Sequence, residues 1–324
     1  MNRYIKRIIT ACLFIIVLTG TLLIMSKITI PKSNAPERGM EEVAANGILA
    51  ENPDTVDVIF LGDSETYCTF IPLQIWKDEG FTTYIDGTSA QTLDYSLTML
   101  QRALSRHDLK MVFLDANAIY RKESKEIPYA KLCELLPVFR YHNRWKTLTS
   151  EDFTAEPEYT WTDYKKGYNF SKEVIPSNQS NYIHFEKTDE RSRITPGNRY
   201  YVNEIKKLCD ENDVKLVFIS APSSANFTYK RHNATEALAS KLGCEFIDMN
   251  LIPEEELQLD WTKDTRDKGD HLNYYGAVKA TAWFSDYLKS TGLLKSRKGD
   301  ADCAGWDAAV AQFEKNDLKG EKLR

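Results

Sequence analysis

Several things are scarce or missing in this sequence. No Cys-x-x-Cys pair occurs among its six cysteines, Cys12, Cys68, Cys133, Cys209, Cys244 and Cys303. A zinc or iron–sulfur site built on cysteine is therefore not expected. Cys12 falls in an apolar N-terminal run, which leaves an odd five in the body. The expectation is buried or indifferent thiols, with room for one disulfide at most. Basic residues are not in excess: 42 Lys and Arg stand against 47 Asp and Glu, a net charge of -5. A nucleic-acid-binding face is not expected on that balance. No Gly-x-Ser-x-Gly elbow occurs, which speaks against the α/β-hydrolase arrangement. No repeat of 20–50 residues and no low-complexity tract is present. Histidine is scarce, with five in 324 residues, so each one in a structured context is informative.

One long charge-free run is present. Ile8 to Met25 reads IITACLFIIVLTGTLLIM, flanked by Arg3, Lys6 and Arg7 before it and Lys27 after it. About 20 apolar residues in a helix span the hydrocarbon core of a bilayer. The denser positive cluster comes first, so the expectation is a cytoplasmic stub at 1–7, a transmembrane anchor at 8–25 and an exported body. A cleaved signal peptide is the competing reading, but the run is long for one and no Ala-x-Ala site follows it.

Residues 26–54 are polar and mixed and read as a linker. From there strand-like and helix-like segments alternate. Val56 to Leu61 is a short apolar run ending at Gly62, and Thr83 to Ile85 and Lys110 to Asp115 are similar. Between them Thr66 to Glu79 and Leu93 to Arg106 have helical character. The rhythm returns with a helix over Asn198 to Asn212, a strand over Lys215 to Ser220, a helix over Tyr229 to Leu242, a strand over Glu245 to Asp248 and a closing helix over Gly276 to Leu288. Such alternation predicts a three-layer α/β/α domain, here 55–294, with a central parallel sheet and crossover helices. Residues 119–196, rich in Tyr, Trp, Asn, Glu and Lys, read as an insertion or cap. Residues 295–324 read as a polar tail with weak helical character around Trp306 to Phe313.

Two short motifs carry chemistry. Gly62-Asp63-Ser64 follows directly on an apolar strand, at the carboxyl end where open α/β sheets bind ligands. A serine hydroxyl is a weak nucleophile until a positioned base activates it. The segment Asp267-Lys268-Gly269-Asp270-His271-Leu272-Asn273 offers one, ahead of the final helix. A carboxylate on the other imidazole nitrogen fixes tautomer and orientation. Asp267 is favoured for that role, because adjacent side chains tend to diverge, and Asp270 remains the rival.

Together the two motifs resemble the SGNH (GDSL-like) hydrolase superfamily, in which a Gly-Asp-Ser near the N-terminus pairs with an Asp-x-x-His near the C-terminus. The resemblance covers roughly Val56 to Leu294. It implies a flavodoxin-like α/β/α fold, Ser64 as nucleophile, His271 as base, and an oxyanion hole of the Ser64 N–H, Gly87 and Asn117. Gly87 stands after the second strand and Asn117 after the third. The sequence departs from the family pattern at two points. Asp115 replaces the glycine two before Asn117, and Lys268 occupies the position three before the histidine. The anchored architecture and the His-Leu-Asn-x-x-Gly-Ala ending look like the DltD-like branch. That likeness implies a serine esterase or O-acyltransferase acting on acyl esters of a cell-envelope glycan or teichoic-acid-like polymer, beside a membrane-bound O-acyltransferase. It implies neither a cofactor nor a metal. The alternative is an inactive module of this shape that binds glycan or recruits the membrane enzyme. Asp63, His142 and Trp145 are candidates for a substrate groove. His107, His184 and His232 carry no assignment, and four Asn-x-Ser/Thr sequons stand at Asn169, Asn178, Asn226 and Asn233.

Overall fold

The computed structural model describes residues 3–121, 127–177 and 186–323, without the side chains at 127, 128 and 130. His184 and Asn178 lie outside the described residues. The chain divides into two compact units, 1–43 with 124–161 and 44–123 with 162–324.

The first unit is built on the helix Arg3–Thr29. It is the one helix among the described residues long and apolar enough to cross a membrane, and its most apolar stretch has no buried residue. Its last turns are covered by residues from 138 onward. The Val138 N–H donates to the Ser26 hydroxyl at 3.2 Å. Arg144 donates to the Thr29 carbonyl at 2.7 Å and to Asp152 at 2.8 Å.

The second unit has the expected fold class. Five parallel strands, β1 (Val58–Gly62), β2 (Thr83–Gly87), β3 (Met111–Asp115), β4 (Lys215–Ser220) and β5 (Glu245–Asp248), lie in the order β2-β1-β3-β4-β5. All five residues of β1 and of β3 are buried. A strand covered on both faces needs a continuous apolar run, which is what VIFLG and MVFLD supply. The order reverses beside β1, which puts the carboxyl ends of β1 and β3 at the switch point where open α/β sheets bind ligands. An aromatic cluster fills the layer between sheet and closing helix. Phe60 stacks on Phe70 at 4.4 Å and on Phe113 at 5.3 Å, and Phe284 of helix Tyr274–Ser290 touches Phe70 and Phe113 at 4.9 Å each. All four rings are fully buried. Each contributes about 1.5–3 kcal/mol by leaving water.

Three boundaries differ from the sequence expectation. The helix expected over Thr66 to Glu79 is two helices, Ser64–Thr69 and Pro72–Glu79. Pro72 forces Ile71 into an extended conformation, φ -110° and ψ 95°, which ends the first helix and starts the second. The stretch 119–196 is not one insertion. Of the described residues, 127–161 belong with the N-terminal helix, whereas 162–177 and 186–196 belong with the sheet. There the Lys166 carbonyl accepts from the Ile85 N–H at 2.9 Å and covers the outer edge of β2. The C-terminal stretch, expected as a polar tail with weak helical character, forms a full helix that packs on the sheet unit. Helix Ala304–Asn316 buries Trp306 against Trp76, ring centroids 5.7 Å apart, and buries Phe313 completely. All six cysteines are free, and Cys68, Cys133, Cys209 and Cys303 are buried.

Candidate active site

Ser64 is the first residue of helix Ser64–Thr69, immediately after β1. Asp63 caps that helix: its Oδ1 accepts from the Glu65 N–H at 3.0 Å. Gly62 is required here, since a Cβ on it would lie 2.2 Å from the Thr66 hydroxyl and 2.7 Å from the Asp115 Cβ. The Ser64 N–H, in the first turn, has no carbonyl to bond within its own helix. Ser64 is partly exposed.

His271 reaches Ser64 from a loop wound around Thr265. The Thr265 hydroxyl donates to the His271 carbonyl at 3.0 Å and accepts from the Gly269 N–H at 2.7 Å. Lys268 and Gly269 both have positive φ, 68° and 99°. A Cβ on Gly269 would fall 1.9 Å from the Ser224 hydroxyl, so glycine is needed for both conformation and space. The loop is tied down further where the Ser224 N–H donates to the Gly269 carbonyl at 2.8 Å. Asn273 then caps the closing helix, its Oδ1 accepting from the Tyr275 and Gly276 N–H groups.

The resulting geometry joins three groups from distant positions. His271 Nε2 lies 2.7 Å from Ser64 Oγ. His271 Nδ1 hydrogen-bonds Asp267 Oδ2, and the His271 backbone N–H donates to Asp267 Oδ1 at 2.7 Å. Asp270 Oδ2 is 3.5 Å from the same Nδ1, and its Oδ1 accepts from the Asn226 amide instead. Burial pulls the Asp267 carboxyl upward, but its two hydrogen bonds to His271 outweigh this and leave it below the ordinary carboxylate range. Asp270 lies above that range, raised by burial. Asp267 is thus the carboxylate whose charged form the imidazole favours, through two hydrogen bonds to His271.

Gly87 ends β2 in register with Gly62 of β1. Its backbone packs so closely that an added Cβ would meet the Gly62 carbonyl at 3.1 Å. Asn117 follows β3 and is buried. Its backbone N–H donates to Asp115 Oδ1 at 2.9 Å, its Oδ1 accepts from Arg231 at 3.0 Å, and its Nδ2 donates to Glu65 Oε2 at 2.5 Å. Burial raises Asp115 to about 7, opposed by the Asn117 N–H and by Arg231.

Asp63, expected to face a groove, is fully buried. Its carboxylate is engaged by the Glu65 N–H and by the Arg121 guanidinium, so it has no open face for a ligand. His142 and Trp145 belong to the other unit. His142 Nδ1 sits 2.9 Å from the Phe139 carbonyl, and Trp145 is 65% exposed. Glu65 and Tyr67 are neighbours of Ser64 that the motifs did not single out. The Tyr67 phenol is raised by burial, with the Ser64 and Ser89 hydroxyls acting against that. An acidic residue in the first turn of a helix is ordinary, so Glu65 carried no signal in the sequence. Asp267, Asp270 and His271 also bring potential metal-donor atoms within 4.8 Å of one another. Both imidazole nitrogens are already in hydrogen bonds, so a cation would have to displace one of them.

No protein-family model and no curated protein matches the chain. Solved structures similar to it include a lipase/acylhydrolase from Enterococcus faecalis, at 11% identity over 75% of this chain and 99% of that one, TM-score 0.38. A GDSL-like lipase from Bacteroides thetaiotaomicron VPI-5482 is similar at 13% identity over 72% of this chain and 88% of that one, TM-score 0.35. An acetyl xylan esterase, AlAXEase, is similar at 13% over 73% and 99%, TM-score 0.36. Likenesses this distant carry no weight for function.

Proposed function

We propose that the chain is a serine esterase or O-acyltransferase of the SGNH type working through a covalent acyl-enzyme. The observation that carries this reading is the 2.7 Å contact between Ser64 Oγ and His271 Nε2, with Asp267 on the opposite ring nitrogen. Ser64 Oγ attacks an ester carbonyl while His271 Nε2 takes its proton. The imidazolium so formed is held by Asp267. The tetrahedral oxyanion lies against the Ser64 N–H, Gly87 and the Asn117 amide, each donor worth on the order of 3 kcal/mol in the transition state. His271 returns the proton to the departing alcohol. A second oxygen nucleophile then enters by the reverse route, water giving an esterase and a sugar or polyol hydroxyl a transferase.

In the same proposal the helix Arg3–Thr29 anchors the protein with its N-terminus in the cytoplasm and the sheet unit outside. The substrate is an acylated envelope glycan or teichoic-acid-like polymer, handled beside a membrane-bound O-acyltransferase as in the DltD-like branch. The apolar helix and its basic N-terminal flank support this placement. The test is hydrolysis of p-nitrophenyl acetate by the full-length chain in detergent, wild type beside Ser64→Ala and His271→Ala. Turnover lost in both variants supports the reading. Turnover unchanged in Ser64→Ala contradicts it.

A further inference from the structure

Glu65 directly follows the proposed nucleophile and is 3% exposed. It faces two carboxamides from different parts of the sheet. Asn117 Nδ2, beyond β3, donates to its Oε2 at 2.5 Å, and Asn226, beyond β4, lies within hydrogen-bonding reach and also donates to Asp270. Arg231 approaches Asn117 from the other side and donates to its Oδ1 at 3.0 Å. Arginine can only donate, so this contact requires the oxygen of Asn117 there and the nitrogen on the Glu65 side. The carboxamide is therefore fixed from both ends. Among the described residues one Nδ2 hydrogen is assigned, to Glu65, and the second remains for a ligand.

We propose that Glu65 is a positioning residue, which fixes the Asn117 carboxamide so that its second N–H meets the carbonyl oxygen of an ester attacked by Ser64. The proposal rests on the acyl-enzyme reading and deepens it. Asp115, which stands in place of the family's glycine, holds the Asn117 backbone through its N–H at 2.9 Å, and Glu65 with Arg231 fixes the carboxamide beyond it. Glu65 must hold Asn117 without placing a negative charge beside a developing oxyanion. Its surroundings meet that requirement. Burial, with Asp115 and Asp270 nearby, raises the Glu65 carboxyl well above its ordinary range, and no ion pair to it is present among the described residues. The shift favours the neutral acid, whose carbonyl oxygen can accept from Asn117 with no opposing charge.

The test uses the full-length chain in detergent and reads kcat and KM for p-nitrophenyl acetate. Glu65→Gln keeps a neutral acceptor of the same length, and kcat should stay within about threefold of wild type. Glu65→Met and Glu65→Ala remove the acceptor, and kcat should fall about 10–100-fold with KM little changed, a part of the loss expected for a whole oxyanion donor. Adding either change to Asn117→Ala should cost almost nothing further, because the two residues act as one unit. Glu65→Met preserves volume, so it stands in if Glu65→Ala does not fold. Equal losses in Glu65→Gln and Glu65→Met, or full additivity with Asn117→Ala, overturn the proposal while leaving the serine mechanism in place. Wild-type activity that survives Ser64→Ala removes the acyl-enzyme reading, and the proposal falls with it.

Discussion

The choice between Asp267 and Asp270 as the orienting carboxylate gives a prediction whose size can be worked out. Asp267→Asn and Asp270→Asn are each one-atom changes on neighbouring carboxylates. Asp267 makes two hydrogen bonds to His271, one to Nδ1 and one at 2.7 Å to the backbone N–H. An asparagine keeps one acceptor oxygen for the backbone N–H, so the substitution removes the bond to Nδ1, about 1.5–3 kcal/mol for a charged partner. The Asp267 side chain is 38% exposed, and solvent screening moves the expectation to the lower half, about 1.5–2 kcal/mol. That is a loss of about 10–30-fold in kcat/KM. Asp270 stands 3.5 Å from Nδ1, is 41% exposed and is committed to Asn226. Its removal should cost at most about 1 kcal/mol, or about fivefold. The assay is p-nitrophenyl acetate hydrolysis at one pH, with thermal melting to confirm that both variants fold. A larger loss in Asp270→Asn than in Asp267→Asn refutes the assignment and makes Asp270 the orienting acid.

Three further outcomes are expected. The Asp115 carboxyl titrates near 7 in the folded protein, against about 3.9 when unfolded. A raised carboxyl contributes stability that is full below the unfolded value and is lost as pH rises through the folded one. The melting temperature should therefore fall between about pH 4 and pH 7 and level off above, and the fall should shrink in Asp115→Asn; an unchanged slope contradicts the assignment. Gly167→Ala places a Cβ 2.1 Å from the Ile85 carbonyl at φ +86°, whereas Gly243→Ala, at φ +66°, meets open space. The second should cost about 1–2 kcal/mol in chemical denaturation, the first clearly more. Trp306→Ala empties the contact with Trp76 and should destabilise the sheet unit by about 3–5 kcal/mol. A melting temperature equal to wild type would show that the C-terminal helix is dispensable.

The sheet was legible because a strand buried on both faces leaves an unbroken apolar run. VDVIFL, KMVFLD and KLVFIS each lie within a residue or two of the observed β1, β3 and β4. The serine could be read because it follows such a strand, and the histidine because it stands just ahead of the closing helix. Two regions are held in place by features that local side-chain pattern does not carry. The strap around Lys166 covers the β2 edge through backbone groups, which leave no mark on side-chain pattern. The C-terminal helix presents a polar outer face, and its burial depends on two large residues, Trp306 and Phe313, meeting partners far away in the chain. Pro72 divides the helix because the residue before a proline is pushed out of the helical region. The role of Glu65 depends on contacts to Asn117 and Asn226, 52 and 161 positions away, and no local spacing encodes these. Asp267 and Asp270 could not be separated by spacing alone, because the two left-handed residues at 268 and 269 decide which carboxylate meets the ring.

The most direct test of the central claim is covalent labelling. The full-length chain is treated with a fluorophosphonate, digested and mapped by mass spectrometry. The account predicts one adduct, on Ser64, formed in wild type, slowed at least about 100-fold in His271→Ala and absent in Ser64→Ala. No adduct in wild type, an adduct on another residue, or equal labelling of wild type and His271→Ala would contradict it.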